Sequence, residues 1–351
     1  MVLVPFSRLA CAAVRKPWIL WLALLCSMPP CAAWAGRAYV SDEDGNAITV
    51  IDTDSMGVVA TVDVGKRPRG LKLAPDGSRL YIAVSGLPKC GPTVPDAECA
   101  KRKHDLAADG IAVIDTQSLK LVKLLKAGTD PEQFDVSRDG RRLFISNEDA
   151  ASVSVLEVAS GALRATIPVG PEPEGARVAP DGQRVLVTSE ASGTITVIDS
   201  RALKVERTVQ VGKRPRDAAF SADGGVAFIS CELDPSIYRL PLATNDPPTQ
   251  LLQLRPEAKP MGVVMDRDGK RLFVSTGRGG TVAVIALDAA KVLAEVPVGA
   301  RPWGIALARN GRRLYTANGP SNDVTVVDTT TFTVIKKIPV GNSPWGIVLA
   351  D

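Results

Sequence analysis

The phrase Val298-Gly299-Ala300-Arg301-Pro302-Trp303-Gly304 returns as Val340-Gly341-Asn342-Ser343-Pro344-Trp345-Gly346, and in looser form five times more. Aligned on its proline, it marks Pro68, Pro131, Pro173, Pro215, Pro260, Pro302 and Pro344, at steps of 63, 42, 42, 45, 42 and 42 residues. A fixed period near 42 means that one supersecondary unit is repeated, so the chain must bury its core between copies of that unit. Each copy holds runs rich in Val, Ile, Thr and Tyr, separated by Asp-Gly or Asn-Gly: Asp76-Gly77, Asp139-Gly140, Asp181-Gly182, Asp223-Gly224, Asp268-Gly269 and Asn310-Gly311. That is the chemistry of strands joined by tight turns.

Four short antiparallel strands cannot cover both of their own faces, and radial closure hides the edges that stacking would leave. The sequence therefore predicts an all-β, seven-bladed β-propeller with four antiparallel strands per blade. Its ends predict how the ring closes. The chain stops after Pro344–Asp351, one first strand, and the three strands it lacks lie at Arg37–Ser41, Ala47–Asp52 and Val58–Val64. Blade four is the least regular copy, from Phe228-Ile229-Ser230-Cys231-Glu232 through Asp234–Pro260.

Residues 1–35 carry Arg8, Arg15 and Lys16, an apolar run from Trp18 to Leu25, and Ala33-Trp34-Ala35. This order reads as a cleaved signal peptide, with a periplasmic product at 36–351 forming one propeller domain, without a membrane span and expected as a monomer. The mature part has 39 Lys plus Arg against 38 Asp plus Glu, a balance that argues against nucleic-acid binding. The 63-residue step adds an insertion at 86–110 holding Cys90, Cys99 and His104. In an oxidising compartment Cys90 and Cys99 are expected as a disulfide, and Cys231, inside the apolar run Val226–Cys231, as a buried free thiol. Strand alternation places the insertion on the same side as the repeated proline phrase.

The residues after the seven prolines, Arg69, Glu132, Glu174, Arg216, Met261, Trp303 and Trp345, fall at equivalent places near the channel mouth. Four charged blades there face three apolar ones. The next position is glycine except at Gln133 and Asp217. Two readings stand together. Arg69 can pair with Glu132 and Arg216 with Glu174, with Arg69 against Trp345; or the mouth grips a ligand with an apolar ring and polar substituents. Loop residues Glu43, Asn147, Glu148, Glu190, Glu232, Arg278 and Asn318 join the same face as solvated groups, with Asn147, Arg278 and Asn318 kept as ligand candidates. One histidine in the mature chain leaves no Ser, His and Asp set, and no His or Cys grouping for a metal or haem. No catalytic residue, metal or cofactor is expected, and arginine neighbours are expected to keep Glu132 and Glu174 ionised.

Tyr39-Val40-Ser41-Asp42, Phe273-Val274-Ser275-Thr276 and Tyr315-Thr316-Ala317-Asn318 resemble the secreted "YVTN" β-propeller repeat. Ala127–Gln133 with Ser146–Asp149, Gly277-Arg278-Gly279-Gly280, Ala300–Gly304 and Asn318–Asp323 resemble, more narrowly, the β-propeller proteins associated with pyrroloquinoline quinone (PQQ)-dependent alcohol catabolism. The resemblance implies a non-enzymatic periplasmic scaffold. Its partner would be a PQQ-dependent dehydrogenase or an ABC transporter component, and its ligand a small aromatic or quinone-like molecule. The alternatives are a lactonase-like propeller hydrolase and a general envelope interaction protein.

Overall fold

The computed structural model describes residues 36–89, 98 and 101–351. The leader pattern and the Cys90–Cys99 pairing lie outside the described residues. Among the described residues, twenty-eight strands form seven four-stranded antiparallel sheets. Six sheets use consecutive strands, and the seventh pairs Pro344–Ala350 with Arg37–Asp42, Ala47–Asp52 and Gly57–Asp63. The expected closure by both ends of the chain is what the structure shows, with Ala38 opposite Leu349 and Val40 opposite Ile347. No helix among the described residues is long and apolar enough to cross a membrane.

Each tight turn is built by its own residues. Asp76 Oδ1 accepts from the Ser78 amide at 2.9 Å, and Gly77 takes φ 71°. Asp181 with Gly182 and Asn310 with Gly311 repeat the pattern, so the Asp-Gly signal is a side-chain-capped turn with a left-handed second residue. Alternate residues of the middle strands then point into neighbouring sheets. One core cluster joins Tyr81 and Ile111 of blade one to Phe134 and Ile145 of blade two, and another joins Val40 and Ile51 to Tyr315 and Val326. The core is thus a ring of inter-blade layers.

Two departures from the sequence reading are local. Blade four, irregular in sequence, still completes its sheet with Ser236–Pro241 and Thr249–Gln253. The first strands of blades one and five start at Leu71 and Val263, three residues beyond their prolines, whereas five others start on the proline itself.

Candidate functional site

The inner strands are held in place by one repeated contact. A hydroxyl on the second strand of one blade donates to the carbonyl of the mouth residue of the next: Ser41 to Arg69 at 2.6 Å, Ser146 to Glu174 at 2.7 Å, Thr188 to Arg216 at 3.2 Å and Ser275 to Trp303 at 2.8 Å. Ser230 does the same to Met261. The glycine after five of the seven mouth residues follows from this closeness. A Cβ on Gly175 would meet the Arg216 carbonyl at 2.7 Å, and one on Gly304 the Trp345 carbonyl at 2.7 Å.

All seven mouth residues line the axial channel, but they do not all share one space. Above them is a 340 Å³ cavity lined by Arg69, Glu132, Glu174, Arg216, Trp303 and Trp345, together with Glu148, Arg278, Arg301, Lys89 and Arg214. Below them is a 610 Å³ cavity, which takes Met261, Gln133 and Asp217 as well as the lower faces of Glu174, Arg216 and both tryptophans. The upper cavity is the candidate site. Gln133, Asp217 and Met261 belong to the channel beneath it.

Two buried arginines organise the charged half. Arg69 reaches Asp130 at 2.6 Å, Glu148 at 3.5 Å and also Glu132. Arg216 reaches Glu174 at 2.6 Å, Glu232 at 2.6 Å and also Glu190. The neighbour pairs Arg69 with Glu132 and Arg216 with Glu174 are therefore present, inside larger clusters. Glu43, Glu190 and Glu232, expected as solvated loop charges, are buried counter-ions at 6% exposure each. Arg67 binds Glu43 at 3.1 Å, and Arg214 binds Glu232 at 3.5 Å.

Carboxylates outnumber guanidiniums in each cluster, and protonation responds to that. Burial pushes the Glu148 carboxyl up to about 7, with Arg69 pulling down and Glu174 and Asp130 pushing further up. Burial likewise raises Glu174 against the pull of Arg216 and Arg69. Burial therefore works against the expected arginine hold on Glu174, raising its carboxyl despite the pair. Asp130 is also buried, yet Arg69, the Ser85 hydroxyl at 2.5 Å and Arg67 hold it below the ordinary range.

The apolar half stacks. Trp303 and Trp345 lie 5.2 Å apart at 32°, and the guanidiniums of Arg301 and Arg216 lie 4.8 Å and 5.0 Å from the Trp303 ring centroid. The cation expected against a tryptophan was Arg69 on Trp345; the structure puts Arg216 and Arg301 on Trp303 instead. Arg301 and Arg278 make no ion pair among the described residues, and both line the cavity.

Asn147 and Asn318 do not reach it. The Asn147 amide meets the Ser154 hydroxyl at 2.9 Å, and Asn318 Nδ2 donates to Thr325 Oγ1 at 2.9 Å; both are buried blade supports. The sequence reading also passed over the residues just before the prolines. Arg67, Asp130, Glu172, Arg214, Arg301 and Ser343 all adopt left-handed backbone, with φ between 42° and 59°. Three supply arginines to the mouth, and the signal was the same repeat read one position earlier. The described stem of the insertion lies on this face. Arg67 Nη1 donates to the Leu87 carbonyl at 2.5 Å, and Lys89 Nζ lies 2.8 Å from Glu43. His104 Nε2 is 2.8 Å from the buried Asp109, away from the cavity lining. Cys231 is buried and free, its thiol pushed up to about 12 by burial.

Residues 170–336 match the family described as "Lactonase, 7-bladed beta-propeller". Antigen Lp49 of Leptospira interrogans is 32% identical over 111 residues, covering 32% of this chain and 23% of that protein, so the match spans under a quarter of its relative. The periplasmic gluconolactonase of Pseudomonas aeruginosa superposes with a TM-score of 0.70 at 22% identity, covering 90% of this chain and 99% of that one. A putative 6-phosphogluconolactonase of Bacteroides fragilis gives 0.73 at 17% identity, with 92% and 100% covered. At such identities the likeness is one of fold. These findings overturn the PQQ-associated scaffold: the family match is to lactonase propellers, and nothing ties the chain to PQQ, alcohol oxidation or a transporter. The chain is a seven-bladed β-propeller, and its residues 170–336 are similar to the lactonase propeller family.

Proposed function

We propose that the upper cavity opens a lactone ring by general-base hydrolysis, with Glu148 as the base. The observation that carries this reading is the placement of Glu148. Its carboxyl is raised to about 7, a third of its side chain (34%) stays open to the cavity, and Arg69 fixes it from one side. A carboxylate poised near neutrality accepts a proton from water efficiently and can return it. In the reaction, water loses its proton to Glu148 as its oxygen attacks the lactone carbonyl. The tetrahedral oxyanion then collapses, the ring C–O bond breaks, and protonated Glu148 gives its proton to the departing alkoxide. One lactone and one water yield one hydroxy acid.

Arg278 and Arg301 are the guanidiniums free to receive the developing negative charge, since Arg69 and Arg216 are already occupied by carboxylates. Trp303 and Trp345 offer the ring face a flat apolar wall. The lactonase match over residues 170–336 supports this reaction class. An extracytoplasmic location belongs to the same proposal, supported by the leader pattern of residues 1–35 and by the periplasmic gluconolactonase of like fold.

The test is hydrolysis of a panel of sugar and alkyl lactones, followed by acid release at constant pH. Wild type turns over at least one, and Glu148→Gln lowers kcat by about 100-fold or more. No turnover of any lactone by wild type, or full turnover by Glu148→Gln, removes the reading.

A further inference from the structure

Beneath the mouth the channel keeps the same two-sidedness. Four positions after each proline the inner strands present Lys72, Asp135 and Arg177 from blades one to three, against Ala219, Val264, Ala306 and Val348 from blades four to seven. Asp217, two positions after its proline, turns down to the charged side and receives Arg177 at 2.6 and 2.9 Å. The 610 Å³ cavity between these walls has Trp303 and Trp345 as its roof, and opens towards Arg309 and Asp351 on the turn face, opposite the mouth. A space of that size lies within the range of small-molecule sites.

The charges of this belt are unequally satisfied. Asp217 holds Arg177 in a fork and accepts the Ala218 amide at 2.7 Å. Asp135 accepts the backbone amides of Val178 at 2.9 Å and Val136 at 3.0 Å. Lys72 has only Asp135, at 3.7 Å, beyond hydrogen-bond reach, and a quarter of its side chain (25%) faces the cavity. An amine with unused donors stands opposite an aliphatic wall under an aromatic roof; burial lowers its pKa against the pull of Asp135 and Asp217, so a carboxylate beside it would favour the ammonium. The Gln133 amide borders the same space and adds a neutral donor.

We infer that the lower channel is a second binding site, separate from the mouth, for an amphipathic monocarboxylate whose carboxylate meets Lys72 and whose apolar body lies against Val264, Ala306 and Val348 below Trp303 and Trp345. The site does not depend on the mouth's chemistry. A carboxylate supplies the acceptor that Lys72 lacks, and a body of roughly six to ten carbons replaces channel water against the apolar wall.

Calorimetric titration of the full chain with sodium octanoate tests this. One equivalent binds with a Kd in the range of about 10 μM to 1 mM, and octanol binds at least tenfold more weakly. Lys72→Met weakens octanoate binding about tenfold or more, Lys72→Arg restores it to within about threefold, and Ala306→Phe, which fills the channel, abolishes it. Glu148→Gln leaves it unchanged. A thermal melt of each variant confirms that it is folded. Absence of octanoate binding by wild type overturns the proposal. So does undiminished binding by folded Lys72→Met, or binding lost in Glu148→Gln but kept in Ala306→Phe, which would put the carboxylate in the mouth.

Discussion

Blades one to four and blades five to seven build the same mouth from the same backbone, yet they hold it together by opposite means. On the first side, Arg69 and Arg216 each gather three carboxylates out of water. On the second, Met261 and Trp345 are packed at 1% and 6% exposure, and Trp303 has two arginines against its ring. Buried ion clusters are stabilising only as complete sets, because removing one member leaves the rest charged and desolvated. An aromatic wall loses roughly the area it buries. The charged half is therefore brittle but chemically tunable, and the apolar half is tolerant but inert. A reactive carboxyl belongs on the first and a substrate platform on the second.

The difference is broken most directly at Arg216. Arg216→Ala leaves Glu174 without an ion pair among the described residues and strips one guanidinium from Glu190 and Glu232, and we expect a loss on the order of 3–5 kcal/mol in denaturant unfolding, recovered in part at pH 5, where Glu174, raised by burial, takes up a proton more readily. A loss below about 1 kcal/mol would mean that the cluster is not a unit. On the apolar side, Trp345→Ala should cost about 3 kcal/mol at any pH from 5 to 8, while the less buried Trp303→Ala costs about half as much. A strong pH dependence of the Trp345 loss would erase the distinction between the halves.

Glu148 sharpens the comparison through pH. A carboxyl raised from 4.5 to about 7 binds its proton more tightly folded than unfolded. Its contribution to stability is full below pH 4.5 and is lost as pH rises towards 7. With a third of the side chain open to water the loss is about 1 kcal/mol. Glu148→Gln should match wild type at pH 4 and exceed it by that amount at pH 8, measured by melts across the range. The same protonation predicts wild-type lactone turnover that rises with pH through about 7. The smallest stability effect belongs to Arg278, exposed and without an ion pair among the described residues. Arg278→Gln should change stability by under about 0.5 kcal/mol, yet raise KM for a lactone several-fold. Unchanged KM would take Arg278 out of the site.

Much of the fold was legible because its signals are local and repeated. Pro302-Trp303-Gly304 and its six relatives set the blade count, Asp-Gly marks each turn, and Pro344–Ala350 standing alone announced that blade seven closes on Arg37–Asp42. The two-sided ring was readable from Arg69 to Trp345 for the same reason. The site was only half readable. Glu190 and Glu232 look like solvated loop charges until blade four brings Arg214 and Arg216 to them. Asn147 and Asn318 look available until Ser154 and Thr325 occupy them.

By itself, then, the sequence determined the repeat, the blade number, the ring closure and which blades carry charge, because period, turn chemistry and residue type are properties of short stretches. Tertiary structure alone decided which cavity each ring residue lines, which arginines remain free, and that burial pushes the Glu148 carboxyl up to about 7. Those depend on desolvation and on contacts between residues 40 to 80 positions apart, and no short stretch of chain contains either.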